Sequence, residues 1–182
     1  MARVPTIEKR ADVPAGGEAA WDRIAESRKS VVGPFTVLLH SPELAARTAH
    51  LGAYVRFESA LDPPVRELVI LAVARQMDCR FEWAAHVPLA RQAGVREDAI
   101  AAIRDRRIPA GLTAGEAPIV LYVTQLLGAH RVDDATFAAV RERLGVPGTV
   151  ELTATAGYYA MIACALNAFD LTPDAAAEPL PP

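Results

Sequence analysis

Five times between residues 41 and 134 the sequence writes the signal that opens a helix. Ser41-Pro42 and Asp62-Pro63 each place a side-chain acceptor ahead of a proline, the arrangement of an N-cap followed by a first helical residue that needs no N–H partner. Asp78 stands before Cys79 as a third cap, Thr113 with Glu116 spells a capping box, and Asp133 or Asp134 opens a further segment. Between these signals the apolar residues recur with helical period, as at Leu68, Leu71 and Ala72 in PVRELVILAVARQM. Gly94 and Leu144-Gly145 are stops. Much of the 52% apolar share is alanine, the strongest helix former. The pattern predicts helices over 18–30, 41–58, 63–77, 79–92 with a kink at Pro88, 97–106, 113–128, 133–144 and 149–169, with Val31–His40 an apolar segment broken at Gly33-Pro34. The fold expected is all-α, a bundle of about seven helices with no secure strand.

At 182 residues the chain has the size of one domain. Residues 1–17, mixed in charge and without periodicity, are expected as an extended arm, 18–172 as a single helical domain, and 173–182 as a flexible tail. The first residues lack the apolar stretch of a signal peptide. Cys79 and Cys164 form neither a CxxC pair nor a zinc-type spacing, which fits a reducing, cytoplasmic setting. With 19 basic and 22 acidic residues there is no basic stripe for nucleic acid, and the cluster Arg104, Arg106, Arg107 reads as a solvated helix end. Leu152 to Phe169 carries no charge, but Thr153, Thr155, two tyrosines and Asn167 argue for a helix buried in a core or subunit interface rather than in a membrane.

The chemistry concentrates in ELVILAVARQMDCRFEWAAH, Glu67 to His86. Cys79, Glu82 and His86 stand at i, i+3 and i+7 and so share one helix face, with Glu82 and His86 an i, i+4 pair. In the first turn Cys79 would face backbone N–H groups and a dipole that favour a thiolate. A tight turn at Met77-Asp78 would bring Glu67 of the preceding helix to the same place. A carboxylate among apolar neighbours must be paired or functional.

This spacing resembles the carboxymuconolactone decarboxylase / alkylhydroperoxidase D-like family. Its thiol-dependent members carry Glu, eleven residues, Cys, two residues, Cys, three residues, His; Glu67, Cys79 and His86 match, while Glu82 occupies the second cysteine position. The surrounding EWAAH and the upstream LLHSPELA resemble a long subgroup of the same superfamily. The resemblance implies an alkylhydroperoxidase D-like helical bundle, a homo-oligomer (trimer or hexamer), a small-molecule substrate and no cofactor. Without the second cysteine a CxxC redox cycle cannot run. The Glu82/His86 pair is similar instead to the decarboxylase branch, implying a lyase or isomerase acting on a small carboxylated lactone or enolisable acid. Catalytic roles fall on Glu67, Cys79, Glu82 and His86.

Plainer readings stand beside these. Glu67 could anchor an ion pair with Arg66, Arg75 or Arg80, and Cys79 could be mere packing. Trp83 suits a core or interface as well as a substrate wall. Tyr54, Tyr158, Tyr159 and Asn167 are polar groups on apolar helices that could line a substrate pocket or be satisfied core residues. His40 could close over the pocket, cap a helix or face solvent. No cluster has metal-ligand spacing except Glu67, Glu82 and His86, which could in principle hold zinc. The rival functions are a thiol-dependent peroxide or disulfide reductase using Cys79 with an external thiol, and a non-catalytic oligomer with a vestigial pocket.

Overall fold

The computed structural model describes residues 2–181. Every regular element among them is helical: α1 (Glu18–Arg28), α2 (Phe35–Leu38), α3 (Pro42–Ala53), α4 (Pro63–Gln76), α5 (Arg80–Gln92), α6 (Glu97–Arg104), α7 (Glu116–Gly128) and α8 (Asp134–Ala168). A 3₁₀ turn at Arg10–Asp12 and a single π turn at Tyr54–Glu58 complete the set. The helix expected to run from 41 to 58 thus loosens into i→i+5 bonding over its last turn, and the broken apolar segment 31–40 winds into the short α2.

Two units share the chain. The first comprises residues 2–59 with Cys164–Thr172. Its core is Ile24 of α1, Phe35 and Leu39 around α2, and Ala45, Ala46 and Ala49 of α3. Alanines on α3 let α1 approach closely. Ile7 and Val13 of the N-terminal arm are buried in the same cluster, and the Ile7 N–H donates to the Thr36 carbonyl at 2.8 Å.

The second unit, Ala60–Ala163 with residues 173–181, is built around α4. From Glu67 to Arg75 every residue of α4 is buried, because α5, α6 and α7 all pack against it. A helix covered on all sides reads as a nearly continuous apolar run, which VILAVA supplies. The first α4 residue is Pro63, with Asp62 at the N-cap, although the Asp62 side chain makes no capping bond. The Thr113–Glu116 box forms as written: the Glu116 N–H donates to Thr113 Oγ1 at 3.2 Å and the Thr113 N–H to Glu116 Oε2 at 2.8 Å. Asp133 caps α8, accepting from the Thr136 N–H at 2.7 Å.

Α8 joins the two helices expected over 133–144 and 149–169. They meet at Gly145, whose φ of 67° and ψ of 177° lie outside the helical region, in a conformation for which glycine is suited. Beyond the break, Leu152, Ala156, Tyr159 and Ala163 are buried, while Met161 and Cys164 stay exposed. Within the single chain the uncharged stretch thus has one covered face and one open one. No helix among the described residues is long and apolar enough to cross a membrane.

Candidate active site

The turn between α4 and α5 sets the site, and it does so differently from the expectation that Asp78 caps α5. Asp78 takes the left-handed conformation, φ 46°. Its N–H bonds to the Arg75 carbonyl at 3.3 Å, and the Cys79 N–H reaches back to the Ala74 carbonyl at 2.8 Å. These are the two bonds of a Schellman terminus, with aspartate in the position usually given to glycine. Asp78 therefore ends α4 instead of opening α5, and its carboxylate lies 3.4 Å from Arg75 and 2.8 Å from Arg106. Cys79 becomes the N-cap residue of α5, one position earlier than the first-turn placement expected of it. It is 0% exposed, its side chain makes no capping bond, and its carbonyl accepts from Trp83 N–H at 3.1 Å. Neither cysteine is in a disulfide.

This tight reversal lays α5 against α4 so that three charged side chains meet in the interior. His86 Nδ1 lies 2.8 Å from Glu67 Oε2, and its Nε2 lies 3.3 Å from Glu82 Oε2. The side chains are only 5%, 8% and 8% exposed, in the order His86, Glu67, Glu82. Tyr159 of α8 meets the imidazole edge-to-face, with ring centroids 5.2 Å apart, and Tyr158 packs the same way on Tyr159 at 5.3 Å. Such contacts fix a ring's plane.

An imidazole with a carboxylate at each nitrogen can donate to both only when it carries two protons. Burial by itself pushes the His86 pKa down, but the hydrogen bonds and charges of Glu67 and Glu82 outweigh it and hold the group up at about 9. At neutral pH His86 is therefore an imidazolium clamped at both ends. Glu67 and Glu82 meet opposite ring nitrogens of His86, so the three residues do not converge on one point as a three-ligand metal site would. No group of three or more His, Cys, Asp or Glu among the described residues has a metal-holding arrangement.

Glu67, Glu82 and His86 are thus brought together, with Cys79 buried one turn ahead of Glu82 at the head of α5. Of the ion-pair partners considered for Glu67, Arg66 lies 4.0 Å away, and the close contact is with His86 instead. Trp83 is fully buried, with an indole N–H that finds no acceptor. Tyr158 is buried beside Tyr159. His40, Tyr54 and Asn167 belong to the first unit, where all three are exposed. His40 Nε2 lies 2.8 Å from the Pro5 carbonyl there, and the Asn167 carbonyl accepts from Asp170 N–H at 3.3 Å. The sequence named Tyr159 only as one of several polar groups on apolar helices; its contact with the histidine depends on how α8 packs on α5, which no local spacing encodes.

Residues 42–124 match the model of the Carboxymuconolactone decarboxylase family, a span running from the first residue of α3 into α7 and enclosing the whole triad. Over these residues, fewer than half of the chain, it is similar to the carboxymuconolactone decarboxylase family. Solved structures of similar fold extend beyond the family segment. One is an alkylhydroperoxidase AhpD core, an uncharacterized peroxidase-related protein from Ralstonia eutropha JMP134, with a TM-score of 0.75 and 16% identity, covering 96% of this chain and 93% of that one. Another is an uncharacterized peroxidase-related protein from Silicibacter sp. TM1040, with a TM-score of 0.70 and 17% identity, covering 96% and 94%. At such identities the likeness is one of fold. No curated protein matches the chain.

Proposed function

We propose that the chain is a cofactor-free acid–base enzyme, a decarboxylase or isomerase of a small carboxylated lactone or related enolisable acid. The observation that carries this reading is the buried Glu67–His86–Glu82 triad, a complete proton-holding unit that requires no thiol. In a decarboxylation the bond between the carboxyl group and its carbon breaks, carbon dioxide leaves, and the electron pair passes into a dienolate. To give that carbanionic carbon a proton, His86 turns one N–H from its carboxylate to the substrate, the longer contact with Glu82 being the one that opens, and solvent restores the proton. The raised pKa works in two directions. It keeps the imidazole protonated at neutral pH, so the acid is always loaded, and it makes that acid weaker than an ordinary histidine. Loss of the proton would leave a neutral ring between two buried carboxylates, which drives rapid reprotonation.

The rival thiol reading has less support. Peroxide reduction by a cysteine pair needs a second sulfur three residues after Cys79, and that position holds Glu82, already engaged with His86 at 3.3 Å. The test is to incubate the protein in D₂O with a panel of lactone acids and follow the products by NMR. A parallel assay measures consumption of an organic hydroperoxide with a dithiol reductant. Deuterium placed on the product carbon, without hydroperoxide consumption, is the expected result. Hydroperoxide turnover with no deuterium incorporation in any lactone acid sinks the proposal.

A further inference from the structure

The sequence Glu178-Pro179-Leu180-Pro181 is stiff before it touches anything. Each proline fixes its own φ, and Glu178 and Leu180 each precede a proline and are held extended. A stretch of this kind spans about 3 Å per residue and loses little entropy when it docks. In the structure it is docked on the second unit. A turn comes first, in which the Ala177 N–H donates to the Asp174 carbonyl at 3.0 Å and the Ala176 N–H to the Asp174 carboxylate at 2.9 Å. Leu180 is then only 5% exposed, Glu178 Oε2 lies 2.8 Å from Arg91 Nη1, and the Pro181 carbonyl accepts from Arg75 Nη1 at 2.6 Å.

The two arginines stand on different helices. Arg75 is in the last turn of α4, the helix of Glu67, and Arg91 is in the last turn of α5, the helix of His86. The segment therefore ties together the two helices whose separation sets the 2.8 Å contact between Glu67 and His86. Its two ends differ in strength. The Arg91 side chain is 41% exposed and already meets Glu97 at 2.6 Å, so the Glu178 pair is screened by water and contributes little. The Arg75 side chain is 6% exposed, its Nε has no partner among the described residues, and the Asp78 carboxylate is 3.4 Å from its Nη1. A buried guanidinium with so few partners depends on the Pro181 carbonyl, because losing it strands a further donor away from water. Through Asp78 that dependence reaches the chain reversal. Asp78 ends α4 in the left-handed conformation, and its Oδ1 is shared between Arg75 and Arg106.

We infer that residues 178–181 are a latch that clamps α4 to α5 and keeps Glu67 in register with His86, with Leu180 and the Arg75 grip on Pro181 as its working parts. Seated, the latch holds Arg75 against Asp78 and so fixes the reversal between the two helices. Withdrawn, it frees Arg75 to turn to water, removes one of the two cations on Asp78, and lets α5 shift along α4. The segment thus governs whether the triad is assembled. This inference rests on the acid–base reading only for what the assembled triad does; the latch stands on the contacts of the segment.

The experiment uses the full chain as wild type, Leu180→Ser, Leu180→Met and Glu178→Gln, with amide hydrogen exchange and the ¹⁵N titration of His86 as readouts. Leu180→Ser removes the buried anchor and should speed exchange over residues 76–86 by at least about tenfold. It should also lower the His86 midpoint, because a slackened triad holds its proton less firmly. Leu180→Met keeps the volume and should behave as wild type. Glu178→Gln should change exchange by less than about fivefold, the most that a half-exposed ion pair supports. Unchanged exchange over residues 76–86, or an unchanged His86 midpoint, in Leu180→Ser overturns the inference. Exchange that speeds equally in α1 and α3 overturns it too, since the segment would then be a general stabiliser. Both readouts are taken without substrate, so failure of the acid–base reading would appear separately, as full turnover in His86→Ala.

Discussion

Replacing Glu67 by glutamine removes a charge while keeping the shape, and so measures what holds the proton on His86. The histidine stands at about 9 against a reference of 6.5. That difference corresponds to about 3 kcal/mol in favour of the charged ring. Burial opposes it, so the two carboxylates together supply more than the net figure. Glu67 approaches to 2.8 Å and Glu82 to 3.3 Å, which gives Glu67 the larger share. Glu67→Gln should therefore lower the His86 pKa by roughly 1.5 units or more, and Glu82→Gln by less. The assay is a titration of the imidazole nitrogens by ¹⁵N-correlated NMR, which reports both protonation and tautomer. A wild-type His86 titrating below 6.5, or one whose titration ignores Glu67→Gln, would refute the reasoning, because burial would then have won.

The same shift makes stability depend on pH. A histidine whose folded pKa is raised contributes stability that is complete below its unfolded pKa and lost as pH rises through the folded value. Thermal unfolding should accordingly show a falling Tm between about pH 6.5 and about 9, with roughly 3 kcal/mol at stake; a flat profile in wild type and His86→Gln alike would contradict it. Thr113→Ala breaks the reciprocal bonds ahead of α7 and should cost about 1 kcal/mol by urea unfolding. A homo-oligomer, trimer or hexamer, is expected from light scattering at micromolar concentration, with the open residues Met161 and Cys164 among the surfaces available to a partner; a monomer mass would refute it.

What the sequence made legible was local. Helix starts at Pro42 and Pro63, the Thr113–Glu116 box and the i, i+4 pair Glu82–His86 all follow from spacing within a few residues. Asp78 was misplaced because aspartate suits both an N-cap and a left-handed helix terminus, and only the need to reverse the chain between α4 and α5 decides between them. The Glu67–His86 contact joins two helices, and it was reached through the expected tight turn at Met77-Asp78 and through the family's spacing. Tyr159 against His86 lay further off still, because it depends on which helices cover α4 and α5, and residue type alone does not say that. The lack of charge between Leu152 and Phe169 suggested burial in a core or a subunit interface; within the chain one face is covered and Met161 on the other is open.

The most direct test of acid–base catalysis is the order in which three substitutions reduce turnover on the lactone acid that shows deuterium incorporation. His86→Ala and Glu82→Gln should each lower the rate by roughly 10²–10⁴, the scale for a positioned acid or base. Cys79→Ser should cost far less, because serine preserves size and a hydrogen-bonding group at the head of α5. Circular dichroism must show each variant folded, since breaking a buried pair can cost about 3–5 kcal/mol in stability. If Cys79→Ser abolishes activity while Glu82→Gln leaves it intact, the chemistry belongs to the thiol, and the triad around His86 is structural.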